Sequence, residues 1–271
     1  MLDNSTDGEQ YRKIIREWFN GAVLENELKW PNWEGDRTKA LAAVDWLQAS
    51  GISKLRGHNL IWPNWNLMPP DVQKLSADAR SMRNRVNDHI ADEVAANRGR
   101  LTDWDVLNEP YSNRDVQGVL GNGEMAEWFK QERRLDPDAA LYVNDYGILE
   151  GNGADIVRQN GYFNIIQNIL ENGGPIDGIG LQGHFNYQFT GPVRMLEILD
   201  RFAKLGPSIK VTEFDVDVAD ETLQAEFTRD FLTAMFSHPA VNGIFVWGFW
   251  EARQAPERRY VPARLVKETQ C

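Results

Sequence analysis

An α/β fold whose parallel strands close toward a barrel is what the sequence predicts, on three observations. Segments of strand character alternate with segments of helical character, two strands empty into glutamates, and 271 residues suffice for one barrel-sized domain. Strict alternation requires right-handed crossovers and therefore a parallel sheet, and α/β barrels of about 250 residues fold as one unit. No linker, repeat or low-complexity stretch interrupts the alternation, so a single domain over 1–271 is expected.

Residues 8–19 place Tyr11, Ile14, Ile15, Trp18 and Phe19 at helical spacing before Asn20-Gly21 stops them. Ala22-Val23-Leu24 is a short strand, with the polar cluster Glu25-Asn26-Glu27-Leu28-Lys29-Trp30 at its exit. A helix follows over 36–49, ended by Ser50-Gly51, and then a strand over 53–61 carries Arg56, His58 and Asn59 near its end. A loop with Pro63, Pro69 and Pro70 leads into a long amphipathic helix over 77–97.

The next strand is Thr102-Asp103-Trp104-Asp105-Val106-Leu107-Asn108, which meets Glu109 and Pro110. Proline cannot donate to a ladder, so the strand stops there and Glu109 lies at its carboxyl edge. That edge is the catalytic face of a barrel, although a solvated loop carboxylate would look the same.

Residues 124–134 are helical, 139–145 form a strand ending in Asn144-Asp145, and 155–171 are helical up to Asn172-Gly173-Gly174-Pro175. A strand over 176–184 is rich in glycine (Gly178, Gly180, Gly183), as where bulkier side chains would crowd a barrel interior or a ligand. After a helix over 192–205, the strand over 209–216 delivers Glu213 with the same grammar as Glu109. A helix over 221–236 and a strand over 241–250 complete seven strands, with a helix before the first and no obvious helix after the last.

Two glutamates on one rim suit a glycosidic bond. Hydrolysis with retention of configuration uses one carboxyl to protonate the leaving oxygen and another, about 5 Å away, to attack the anomeric carbon. The balance of 29 basic against 40 acidic residues, a formal charge of -11, argues against nucleic acid or an anionic membrane as the partner and leaves a neutral polymer compatible. Among ten tryptophans, Trp30, Trp62, Trp65, Trp247 and Trp250 fall at or just past strand ends, where an indole can stack on a sugar ring.

No His, Cys and carboxylate cluster has metal-site spacing and no phosphate-binding glycine loop is evident, so neither metal nor cofactor is expected. The lone cysteine is Cys271, so no intrachain disulfide forms. Residues 1–5 lack a basic region leading into an apolar core and no run reaches membrane-spanning length, which reads as a soluble chain. His89 and His238 fall in helical segments and read as structural.

Six stretches, in order, carry a resemblance: 25–30, Arg56-Gly57-His58-Asn59-Leu60-Ile61-Trp62, 104–109, Leu141-Tyr142-Val143-Asn144-Asp145-Tyr146, 178–184 and Val211-Thr212-Glu213-Phe214-Asp215. Together they resemble the successive strand motifs of family-10 glycoside hydrolases, the endo-β-1,4-xylanases, over about residues 9–251. The resemblance implies a (β/α)8 TIM barrel, secretion, and xylan and xylo-oligosaccharides as partners. It implies Glu109 as acid/base, Glu213 as nucleophile and Asn108 as the holder of the sugar 2-hydroxyl. By the same likeness Glu25, Asn26, Lys29, His58, Trp62, Gln182, His184 and Trp247 form the glycone side, and Asp215 orients His184.

The pattern departs from the family in three places. A strand before the opening helix and a helix after the closing strand are not evident, so a wedge is expected between 243–250 and 22–24, exposing two sheet edges. An exposed edge invites association, and either residues 256–271 or a second copy of the chain would cover it. Gln254 and Ala255 stand where a tryptophan usually roofs the catalytic subsite, which implies a more open subsite. Pro63 follows Trp62 where many members have histidine, which alters the donors of that loop.

The expected activity is a retaining endo-β-1,4-xylanase. The competing readings are a weakly active or inactive oligosaccharide-binding relative with an open barrel, and a β-1,4-glucanase.

Overall fold

The computed structural model describes residues 5–249. Helix α1 (Thr6–Trp18) comes first, its amino end capped by the Ser5 hydroxyl, which accepts from the Gly8 N–H at 3.0 Å. The strands are β1 (Gly21–Val23), β2 (Lys54–Ile61), β3 (Asp103–Asn108), β4 (Ala140–Asp145), β5 (Gly178–Leu181), β6 (His184–Phe185), β7 (Ser208–Val216) and β8 (Val241–Val246). Between them lie α2 (Trp30–Ala49), α3 (Pro70–Lys74), α4 (Ala79–Asn97), α5 (Asp115–Leu120), α6 (Glu124–Leu135), α7 (Ile156–Glu171), α8 (Pro192–Ala203) and α9 (Glu221–Ser237).

Every strand pairing is parallel, in the order β1-β2-β3-β4-β5-β7-β8, and β6 pairs only with the far end of β7. This is a nearly closed barrel with its helices outside, as the alternation predicts. β2, β3, β4, β5 and β7 are buried almost throughout, although β2, β3 and β7 interleave polar with apolar residues, because the buried polar side chains find partners on other strands. Inside, Arg56 reaches Asp103 and Asp105, Lys210 pairs with Asp103, and both cations lie over the Tyr142 ring. The glycines of β5 do what their spacing implies. A Cβ at Gly178 would come within 1.9 Å of the Tyr142 ring, and one at Gly180 within 2.4 Å of the Asn144 carbonyl oxygen Oδ1.

Several expectations need correction. The strand expected over 176–184 is two pieces, because Gly183 takes a φ of 92° between β5 and β6. β7 itself matches the strand expected over 209–216, and its far end carries the unforeseen β6, which pairs His184 with Asp215 and Phe185 with Val216. α2 begins at Trp30 rather than residue 36, with Pro31 in its first turn and a break at Asp36 (φ -160°, ψ 80°). The one-turn helices α3 and α5 have too few residues for a periodic signal.

The wedge lies where the sequence places it. Among the described residues β1 pairs only with β2 and β8 only with β7, and between them opens a cavity of about 650 Å³. Tyr11, Ile15 and Phe19 line it from α1 and Phe245 from β8, while Phe249 stacks on Tyr11 at 4.6 Å and lies 5.0 Å from Phe19. Aromatic packing from α1 thus occupies part of the space that a further strand pairing would fill. Trp250, Gln254, Ala255, Cys271 and the segment 256–271 lie outside the described residues.

Candidate active site

The chemistry-bearing residues gather at the carboxyl ends of the strands. β3 ends in register with β4, Asn108 beside Asn144, and the chain then turns sharply. Glu109 takes a left-handed φ of 52°, a conformation that costs a non-glycine residue about 1 kcal/mol or more. Its neighbours hold it there. The Glu109 N–H donates to the Asn144 carbonyl at 2.7 Å, and the Glu109 carbonyl accepts from the Asn113 N–H and Nδ2, both at 3.1 Å. The carboxyl is thereby aimed across the barrel mouth, where Oε2 accepts from Trp62 Nε1 (3.1 Å) and Asn113 Nδ2 (3.2 Å) and Oε1 accepts from Gln182 Nε2 (2.9 Å).

Glu213 is buried on β7. Its Oε1 accepts from Asn144 Nδ2 at 2.9 Å, and its Oε2 faces His184 Nε2 at 3.1 Å. The other ring nitrogen of His184 faces Asp215 Oδ2 at 2.9 Å. Burial works against a charged imidazole, but the bonds to Asp215 and Glu213 outweigh it and raise His184 to about 10. Both ring N–H groups therefore donate at neutral pH, and His184 is a fixed cation between two carboxylates.

The two glutamates are pushed in opposite directions. Burial raises Glu109 above the usual carboxylate range, the negative Glu213 adds to this, and the Gln182 and Trp62 donors only moderate it. Burial also acts on Glu213, but the His184 bond, the charges of His58 and His184 and the Asn144 donor hold it below that range. The two carboxyls are thus biased in opposite directions, Glu109 toward holding a proton and Glu213 toward losing one, as acid and base roles need.

Around this pair stand most of the residues singled out from sequence. Lys29, at the amino end of α2, donates to Asn26 Oδ1 at 2.9 Å and lies 5.2 Å over the Trp62 ring. Burial lowers its pKa, against the pull of Glu213, Glu25, Glu109 and Glu27. His58 bonds Asp105 at 2.9 Å, and Trp247 presents its ring edge-on to both His58 (5.4 Å) and His184 (6.3 Å). Glu25 and Asn26 are exposed at the rim. The Asn108 side-chain oxygen Oδ1 accepts from Asn144 Nδ2 at 2.9 Å, leaving the buried NH2 group of Asn108 without a partner among the described residues.

Trp30 is not part of the site. It is 2 % exposed, stacks on His89 at 4.0 Å and donates its indole N–H to Glu34. His89 is structural, bonding the Leu60 carbonyl at 3.0 Å, and His238 packs at the end of α9 against Asp200. Sequence reasoning passed over Asn144, which bridges Asn108 and Glu213 while Thr212 Oγ1 donates to its Oδ1 at 2.7 Å. It also passed over Glu150, whose Oε1 accepts from the Gly183 and His184 N–H groups. The signal for Asn144 was present, since a polar pair closing an apolar strand marks the mouth of a barrel. Among the described residues no group of His, Cys, Asp and Glu is arranged to hold a metal, and no helix is long and apolar enough to cross a membrane.

The family model described as glycosyl hydrolase family 10 matches residues 1–255. Endo-1,4-beta-xylanase 1 of Arabidopsis thaliana is 32% identical over 252 residues, 92% of this chain and 26% of the plant protein. The chain spans 24% to 33% of the first three plant relatives it matches. Among solved structures, xylanase 10B of Thermotoga maritima is similar at a TM-score of 0.81 and 30% identity, covering 91% of this chain and 79% of that one. Xylanase 10B of Thermotoga petrophila in complex with xylobiose has the same TM-score and coverage at 31% identity.

Proposed function

The chain belongs to glycosyl hydrolase family 10, and from that premise we propose that it is a retaining endo-β-1,4-xylanase in which Glu109 is the acid/base and Glu213 the nucleophile. The observation that carries this reading is the opposed tuning of the two carboxyls across one barrel mouth. Xylan and xylo-oligosaccharides are the substrates that the related xylanases and the xylobiose complex of the Thermotoga petrophila enzyme suggest.

In the first step Glu213 attacks the anomeric carbon as Glu109 protonates the departing glycosidic oxygen. The glycosyl ester that forms carries no charge on Glu213. Repulsion from Glu213 is one of the causes that raise Glu109, so its loss lowers the Glu109 pKa at the moment Glu109 must become a base. In the second step Glu109 takes a proton from water, which attacks the ester and releases the sugar with its configuration retained. The unpartnered NH2 of Asn108 is the donor for the sugar 2-hydroxyl, an interaction that strengthens as oxocarbenium character develops. Lys29, Trp62, His58 and Trp247 form the glycone wall, with Glu25 and Asn26 at its outer edge and Asp215 holding His184.

The test is the stereochemistry of the first product. Proton NMR during hydrolysis of xylopentaose is expected to show the β-anomer appearing first, and initial release of the α-anomer would overturn the mechanism. The edges of β1 and β8, which have no strand between them among the described residues, favour a second reading, a slow or inactive relative that retains the cleft. Release of short oligosaccharides from xylan supports the enzyme, whereas tight binding without cleavage supports the relative.

A further inference from the structure

The loop after β2, where Pro63 departs from the resembled pattern, is laced to the loop after β3 by polar contacts that end on Glu109. The Asp115 N–H donates to the Pro63 carbonyl at 3.0 Å, and the Trp65 N–H donates to Asp115 Oδ2 at 2.8 Å. A third line runs through side chains. The Asn66 N–H donates to Asn64 Oδ1 (2.9 Å), Asn64 Nδ2 donates to Asn113 Oδ1 (2.8 Å), and Asn113 Nδ2 donates to Glu109 Oε2 (3.2 Å).

This line has only one possible direction. A backbone N–H donates and cannot accept, so Asn64 must turn its oxygen to Asn66 and its NH2 to Asn113. Asn113 must then turn its oxygen to Asn64 and its NH2 to Glu109. The Trp62 indole, also a donor only, meets the same Oε2. A carboxyl oxygen offers two in-plane lone pairs, so Oε2 is full, while among the described residues Oε1 receives the Gln182 donor alone.

We propose that Asn113, aimed by Asn64, is a positioning residue of the acid/base. It fills the second lone pair of Oε2 so that the transferable proton of Glu109 resides on Oε1, and it secures the left-handed backbone that points the carboxyl into the cleft. The inference rests on the reading of Glu109 as acid/base. In the proton-transfer step the Oε1–H bond breaks, and its proton passes to the glycosidic oxygen as that oxygen's bond to the anomeric carbon breaks. An electron pair of Glu213 forms the new bond to that carbon. Glu109 is left as a carboxylate with three N–H donors, and a donor that strengthens as charge develops makes the acid stronger. The other groups acting on the Glu109 charge are Lys29 before α2, His58 on β2, Asp145 on β4 and Glu213 on β7, with His184 of β6 behind Glu213. None of them belongs to the relay.

The test compares Asn113→Leu, Asn64→Ser and the double variant, using aryl β-xylobiosides with good and poor leaving groups. Loss of the donor is expected to raise the alkaline limb of kcat/KM by roughly half to one pH value. It should cut turnover of the poor-leaving-group substrate about 10-fold, with a much smaller loss on the activated one. Asn64→Ser should shift the limb in the same direction, yet change nothing further once Asn113 is leucine, since Asn64 acts through it. An unmoved limb, equal losses on both substrates, or an independent effect of Asn64→Ser in the double variant would each overturn the proposal. Carbon-13 titration of the Glu109 carboxyl reads the same shift without turnover. If wild type cleaves no xyloside while Asn113→Leu raises that titration, the functional reading fails and the relay stands. Should Asn113→Leu not fold, the same titration in Asn64→Ser decides, and an unshifted carboxyl there overturns the relay.

Discussion

Replacing Glu109 with glutamine removes the proton it would donate and keeps its shape. The three surrounding donors dictate how the new amide sits. Trp62 Nε1 and Asn113 Nδ2 can only donate at the Oε2 position, so the glutamine oxygen must lie there and its NH2 must face Gln182, whose own amide turns to accept. The cleft is therefore conserved while acid catalysis is lost. General acid assistance is worth about 10²- to 10⁴-fold, or roughly 3–5 kcal/mol of barrier, and the whole of it falls on substrates whose leaving oxygen needs a proton. Glu109→Gln is expected to abolish measurable cleavage of xylan and of aryl xylobiosides with poor leaving groups, while the first step on an activated aryl xylobioside survives within about 10-fold. Pre-steady-state release of the aryl group is the assay, since it isolates that step from the base-dependent second one. Equal loss on both substrate types, in a variant whose melting temperature matches wild type, would refute the assignment of Glu109.

Three further outcomes follow from the same geometry. His184→Ala removes both a donor and a cation from Glu213, so the Glu213 pKa rises and the acidic limb of kcat/KM moves up by about one pH value or more; an unmoved limb would show that His184 does not hold that charge. Trp247→Ala strips a wall from the cleft beside His58 and His184, and calorimetry is expected to show xylobiose binding weakened by about 1–3 kcal/mol, with an unchanged affinity counting against its glycone role. On α6, Glu132 is fully buried with neither oxygen hydrogen-bonded among the described residues, and burial raises it from an ordinary 4.5 to about 8. Its folded value exceeds its unfolded one, so its contribution is complete below about pH 4.5 and is lost as pH rises through about 8, a loss of at most about 4–5 kcal/mol. Thermal melts should show wild type losing more stability between pH 5 and pH 8 than Glu132→Leu does, and parallel curves would refute this.

By itself the sequence determined the alternation of strands and helices and the parallel sheet, and it singled out Glu109 and Glu213 as candidates. These follow from local rules: proline cannot donate to a ladder, so β3 stops before Pro110, and alternation leaves few ways to connect parallel strands. The gap between β1 and β8 among the described residues was also anticipated, from the alternation of strands and helices. What only the tertiary structure decided is which neighbours each carboxyl meets. Glu109 and Glu213 are chemically identical in the sequence, and their opposite bias comes from their surroundings: burial and the neighbouring Glu213 raise Glu109, whereas His184 and Asn144 hold Glu213 down. Trp30 shows the same limit, because a strand-end tryptophan turns inward or toward the cleft according to what packs against it. The lacing of Asn64 to Asn113 was likewise invisible, since two loop asparagines 49 positions apart become partners only when β2 and β3 lie side by side.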